Sequence, residues 1–280
     1  MNKSIQFICL CNFILINLIA ETSSLSDFEN YKKICLQASQ NKEVFDSFKK
    51  NKIYMQILEH VAYEQGLAYY ELISQNKEIM DLFHEFKSND LYGSPNQFFY
   101  KEIGKISPTT LRYIKVLMDI CNQVGSLSNL DIVEIGGGYG GQCLIISKMF
   151  KFNSYTIIDL EEPLELAKKY LDSHGVKNVK FLNYLDLKKG ISSEAQSDLL
   201  ISNYAFTECN KEIQDLYFQK LLFPAKSGYI TSNADICSQI TNRGCYTTSE
   251  ILGVLNSKFG SLKKLPENPL TAIDNCIIVW

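Results

Sequence analysis

A chain of 280 residues, 46% hydrophobic and 21% charged, is long enough for one large or two small domains and apolar enough for a real core. Its formal net charge of −3 supplies no basic stripe, which argues against a nucleic-acid partner, and with Arg112 and Arg243 as its only arginines, phosphate forks are scarce. The nine cysteines form no CxxC pair and no metal-like spacing with the three histidines, so they read as small buried residues and no metal site is expected.

Along the chain, Lys3 precedes an apolar run over residues 5–20 that ends on Ala20 before Glu21. A positive start, an apolar middle and a small final residue have the shape of a secretory signal. Sixteen helical residues reach about 24 Å, short of a hydrocarbon core of roughly 30 Å, and Asn12 and Asn17 interrupt the run. A membrane anchor and a hydrophobic helix packed on the protein itself are the other readings. Membrane contact is expected only through residues 5–20, if they are retained.

Residues 24–90 read as helices. Val44, Phe45, Phe48, Ile53, Ile57 and Leu58 recur at helical spacing, as do Ile79, Leu82, Phe83 and Phe86. Breaks follow at Ser88-Asn-Asp90 and Gly93-Ser-Pro95. Ser107 caps the next helix, with Pro108 at its first position and Gly125 at its end. Residues 21–125 are therefore expected to form a helical N-terminal subdomain. From residue 131 the period changes. Strands are expected at 131–135, 154–159, 178–182, 198–202, 227–233 and 273–280, with helices at 140–150, 161–173, 210–223 and 247–258. That alternation predicts an α/β, Rossmann-like domain over residues 126–280, a parallel sheet with helices on both faces behind a helical cap.

The chemistry concentrates where the first strand ends. Asp131-Ile-Val-Glu-Ile-Gly-Gly-Gly-Tyr-Gly-Gly141 runs an apolar strand into a glycine-dense turn, and Tyr155-Thr-Ile-Ile-Asp159 is a second strand ending on a carboxylate. Glycines admit close backbone approach, and a carboxylate at that place can accept both hydroxyls of a ribose. The spacing G-x-G-x-x-G suits NAD and S-adenosylmethionine alike. Glu134, two residues before the first glycine, tips the balance: a carboxylate there suits an ammonium and a sulfonium and repels a pyrophosphate. Gly136, Gly137 and Gly138 are expected to line the methionine part of the donor beside Glu134. Asp159 is expected on the ribose diol, Asp186 on the adenine amino group, and Asn203 at the sulfonium end.

Among the remaining groups, Glu208 is the candidate general base, with Asn203 beside it in the reacting region, or else a first-turn residue favoured by the helix dipole. Asp159 reads alternatively as a cap on the following helix, and Asp186 as a turn carboxylate. Tyr92 and Tyr204 are candidates for contact with the acceptor, although the Tyr92 loop reads equally well as a connector. His174 reads as a helix C-cap or loop residue, and His60 and His84 as surface or satisfied core residues.

Three strings in this order, Ile106-Ser-Pro-Thr-Thr-Leu-Arg-Tyr113, Val133-Glu-Ile-Gly-Gly-Gly-Tyr-Gly-Gly-Gln142 and Ile201-Ser-Asn-Tyr-Ala-Phe-Thr-Glu208, resemble the sugar O-methyltransferase family over roughly residues 90–280. The resemblance implies a class I methyltransferase fold, S-adenosylmethionine as donor, and a saccharide hydroxyl as acceptor. It places Glu134, Gly136, Gly138 and Asp159 at the donor site, and Asn203, Tyr204 and Glu208 in the active-edge string. The expectation is an O-methyltransferase acting on a sugar or glycan hydroxyl, with a small-molecule or glycan substrate. The alternatives are an NAD-dependent oxidoreductase or epimerase and a non-catalytic binding protein of the same fold. The signal-like start departs from the family pattern, and location stays open between the cytosol, where the donor is made, and export or anchoring.

Overall fold

The computed structural model describes residues 29–190, 197–240 and 244–280. The signal-like segment lies outside the described residues. Two compact units divide the rest near residue 191, and the boundary expected between residues 125 and 126 falls inside the first of them.

The first unit begins with six short helices: α1 (Glu29–Gln40), α2 (Lys42–Phe45), α3 (Lys52–Ile57), α4 (Tyr63–Ile73), α5 (Lys77–Asp81) and α6 (Phe83–Phe86). Asparagine explains several starts. The side chains of Asn41, Asn51 and Asn76 accept the first N–H groups of α2, α3 and α5, which otherwise lack partners. What holds such short helices is an aromatic core. The buried Tyr31, Phe48, Tyr54 and Tyr139 are linked by ring contacts of 4.9–5.8 Å: Tyr31–Tyr54, Phe48–Tyr54 and Phe48–Tyr139. A hairpin of β1 (Phe98–Tyr100) and β2 (Gly104–Ile106) follows, then α7 (Pro108–Val124). The Ser107 hydroxyl accepts the Thr110 N–H, and Gly125 leaves the helix at φ 82°, as the sequence predicts.

Next come β3 (Asp131–Ile135), α8 (Gly141–Met149), β4 (Ser154–Asp159), α9 (Glu161–Ser173), β5 (Val179–Asn183) and α10 (Tyr184–Lys188). The three strands are parallel in the order β5-β4-β3. Register matters for the site. Ile135 pairs with Ile158, so β3 and β4 end level, and Gly136 N–H donates to the Ile158 carbonyl at 2.8 Å. Helix α1 lies along α9: Lys169 Nζ donates to the Ala38 carbonyl at 2.8 Å, and Lys32 pairs with Glu162 at 3.8 Å.

The second unit holds β6 (Leu199–Asn203), α11 (Ala205–Glu208), α12 (Lys211–Tyr217), β7 (Ser227–Ser232), α13 (Ala234–Ile240), α14 (Thr248–Phe259), β8 (Lys263–Pro266) and β9 (Cys276–Val279). Its strand order is β6-β7-β9-β8; β6 and β7 are parallel, and β9 runs antiparallel to both its neighbours. Gly228 leaves room for the Trp280 ring, since a Cβ built on it falls 2.0 Å from the indole. That ring also stacks on Phe259 at 5.2 Å.

The expected α/β class is found, and β3, β4 and α9 coincide with their expected ranges. The strand expected over 273–280 is shorter, and the helix expected over 210–223 ends at Tyr217 and continues as a wider turn over Phe218–Leu222. The hairpin, β8 and the short helices α10, α11 and α13 went unread. Strand β8 is Lys-Lys-Leu-Pro, a poor strand by composition; it forms because β9 offers a free edge to pair with. Six of the seven described cysteines are buried. No described helix is long and apolar enough to cross a membrane.

Candidate functional site

In the first unit the level ends of β3 and β4 bring together Glu134, Gly136, Gly137, Gly138 and Asp159. Gly136, Gly138 and Gly140 adopt φ of 75°, 55° and 87°, a region in which side chains are strained. This frees the turn to fold back on itself. Asp159 then ties it to β4: one carboxylate oxygen accepts Gly138 N–H at 3.0 Å and the other accepts Leu160 N–H at 2.8 Å. The bond to Leu160, directly before α9, accords with a helix-start role. The bond to Gly138 adds the joining of two strand ends.

Glu134 is 2% exposed, and its Oε2 accepts the Tyr155 hydroxyl at 2.9 Å. Burial pushes its carboxyl up to about 8; the Tyr155 bond pulls against this and the charge of Asp159 adds to it. The same oxygen lies 3.2 Å from a Cβ built on Gly137, so Glu134 supports the turn from beneath. Asp186 stands in the first turn of α10, just beyond the end of β5, 3.9 Å from Lys189.

Tyr92 is not brought to this end. Its ring packs on Phe45, Tyr170 and His174, and its hydroxyl donates to the Ser173 carbonyl at 3.4 Å. Those partners mark the C-terminal end of α9, while Asp159 precedes its N-terminal end; thirteen helical residues, roughly 20 Å, lie between. His174 is the C-cap residue of α9, and burial lowers its imidazole to about 4.

In the second unit, Asn203, Tyr204 and Glu208 gather at the carboxyl ends of β6 and β7. Tyr204 turns the chain at φ 68°, and its hydroxyl bonds the Glu267 carboxylate and Thr271 Oγ1, the latter at 3.1 Å. Asn203 Oδ1 accepts the Thr231 hydroxyl at 3.2 Å. Glu208 Oε1 accepts from Asn233 Nδ2 at 2.8 Å, and Asn233 Oδ1 in turn accepts the Thr207 hydroxyl at 2.6 Å. Asn233, at the end of β7, was not read from the sequence; only its position after a strand could have signalled it.

A second group missed by sequence reasoning lies in the first unit. Lys49 is 1% exposed; its Nζ donates to the Asn89 carbonyl at 2.8 Å and sits 4.0 Å from the Tyr139 ring centroid. Glu59 is also buried, and burial raises its carboxyl while the charge of Lys49 opposes the rise. In sequence both look like solvated helix residues, and nothing local distinguishes them.

Two parallel strands thus end level on a glycine turn, joined by a bridging carboxylate, in an α/β domain. No family model matches the chain. A curated relative, the protein-L-isoaspartate O-methyltransferase of Pyrococcus abyssi (strain GE5 / Orsay), is 35% identical over 72 residues, 26% of this chain and 33% of that protein. The chain thus spans about a third of the length of the curated relative it matches. Among solved structures, the methyltransferase domain of bacterial CtHen1-CN covers 60% of this chain and 96% of its own at 15% identity and a TM-score of 0.43. A SAM-dependent methyltransferase from Aquifex aeolicus covers 60% and 86% at 18% identity and a TM-score of 0.42.

Proposed function

We propose that the protein is an S-adenosylmethionine-dependent methyltransferase, and that it methylates a hydroxyl of a sugar or glycan. The observation that carries the reading is the Asp159 carboxylate, held by Gly138 N–H and Leu160 N–H beside a turn of left-handed glycines and buried Glu134. A carboxylate at the end of the second strand suits a ribose diol and disfavours a pyrophosphate. The antiparallel β9 accords with the same side, because a dinucleotide-binding sheet is mostly parallel. The curated relative is also a methyltransferase.

In this reading the glycine turn holds the methionine part, Asp159 the ribose hydroxyls and Asp186 the adenine amino group. The acceptor oxygen attacks the methyl carbon in line. A carbon–oxygen bond forms, the carbon–sulfur bond breaks, and its electron pair stays on sulfur, leaving a neutral thioether. The proton lost by the hydroxyl passes to Glu208, which Asn233 orients. The roles proposed for Asn203, on the sulfonium end, and for Tyr204, on the acceptor, rest on the sequence resemblance. The donor is already activated, so the protein mainly aligns and dehydrates the pair.

Isothermal titration with S-adenosylmethionine and with NAD tests the donor. Heat of binding for the first alone is expected, and binding of NAD alone overturns the reading. Incubation with isotopically labelled donor and a panel of glycans, followed by mass analysis, tests the acceptor. Label found on protein or nucleic acid and absent from saccharide replaces the sugar assignment.

A further inference from the structure

The glycine turn has a single side chain of its own. Among residues 136–141 Tyr139 alone is not glycine, and it is fully buried. Its hydroxyl accepts from Asn89 Nδ2 at 3.1 Å, and its ring meets that of Tyr170 edge-on at 4.9 Å. On one side of it stands Gly138, whose N–H donates to Asp159; on the other, Gly140 caps α8. A run of glycines is costly to order, so these two anchors set its shape. The Tyr139 ring also faces a cation. Lys49 reaches it from the stretch between α2 and α3. Its backbone N–H donates to the Gly93 carbonyl at 3.1 Å, and a Cβ built on Gly93 falls 2.6 Å from its Cγ. Its Nζ donates to the Asn89 carbonyl and lies 4.0 Å from the Tyr139 ring centroid and 5.1 Å from that of Tyr170.

A charge buried in this way costs stability, and an apolar chain of similar length would fill the space. What only the ammonium supplies is attraction to the ring face, which is strong where water is excluded. We propose that Lys49 is a positioning residue for the donor: its positive charge, acting through Tyr139, holds the glycine turn in the shape that binds. This rests on the methyltransferase reading. The acids that face Lys49 are Glu59 and Asp90, the phenols Tyr139 and Tyr170, and the imidazole His174. Burial lowers the ammonium from the ordinary lysine value of 10.5, and the two acids oppose the fall. The phenols are held well above 10.0 and His174 at about 4, so these three stay neutral in between. The contribution of Lys49 is therefore full while its proton is bound, and is lost as pH rises through the lowered value.

S-adenosylhomocysteine, titrated into the full chain from about pH 6 to about pH 10, tests the role. The wild type is expected to bind about 10-fold more tightly than Lys49→Met at the acid end and to lose that advantage toward the alkaline end. Lys49→Arg stays charged throughout and is expected to keep the tighter affinity where the wild type loses it. Ratios between the proteins cancel the titration of the probe's own amine. Equal binding by the wild type and Lys49→Met at the acid end, or a ratio constant over the whole range, means that packing alone places Lys49 there; either overturns the proposal and leaves the donor reading intact. If Lys49→Met fails to fold, Lys49→Arg decides, since a wild type that runs parallel to it across the range overturns the proposal equally. A wild type that binds no S-adenosylhomocysteine at any pH overturns both readings.

Discussion

The two units handle buried polarity in opposite ways. In the first, charges are taken out of water: Glu134, Glu59 and Lys49 are all buried, and burial is the largest cause of each shifted titration. In the second, the polar groups near the strand ends are linked to one another: Glu208 to Asn233, Asn233 to Thr207, and Tyr204 to Glu267 and Thr271. Desolvated charge is suited to binding a charged ligand, since the ligand supplies the missing partner. A linked network is suited to holding one geometry.

The comparison is broken most severely at Glu208. If it is the base, Glu208→Gln lowers kcat by about 100-fold to 10,000-fold with little change in donor affinity, read by steady-state kinetics and titration together. Unimpaired turnover removes it from the role. In the first unit, Asp159→Ala is expected to weaken donor binding by about 100-fold, through loss of charge-assisted bonds and release of the glycine turn. Donor affinity equal to that of the wild type would dissociate the carboxylate from the site.

Stability changes come next. Gly228→Ala must displace the Trp280 ring and is expected to cost about 1–3 kcal/mol, measured by denaturant titration. Glu134 sharpens the contrast through pH. Its folded carboxyl titrates at about 8 against an ordinary 4.5, so the folded state binds the extra proton in between. Its contribution is fully present below about 4.5 and is lost as pH rises through about 8. Glu134→Gln should flatten the fall in stability across that window, and an unaltered slope would show that other groups cause it. The smallest effect is expected for Tyr204→Phe, about 1 kcal/mol, because the network keeps its other bonds. No change in melting temperature would show that the Tyr204–Glu267 bond contributes nothing net.

The sequence by itself determined β3, β4 and α9 and the cluster of Gly136, Gly138 and Asp159, because each depends on local chemistry: an apolar run, a turn only glycine tolerates, a carboxylate at a strand end. It determined the start of α7 for the same reason, a serine followed by proline. Only the tertiary structure decided that Glu134 belongs to Tyr155, that Glu59 and Lys49 leave water, that Tyr92 packs at the far end of α9, and that Lys-Lys-Leu-Pro becomes an edge strand. Those outcomes join residues some ten or more positions apart, or depend on what covers a side chain. A periodic pattern tells which face of an element turns inward; it carries no record of the neighbour that waits there.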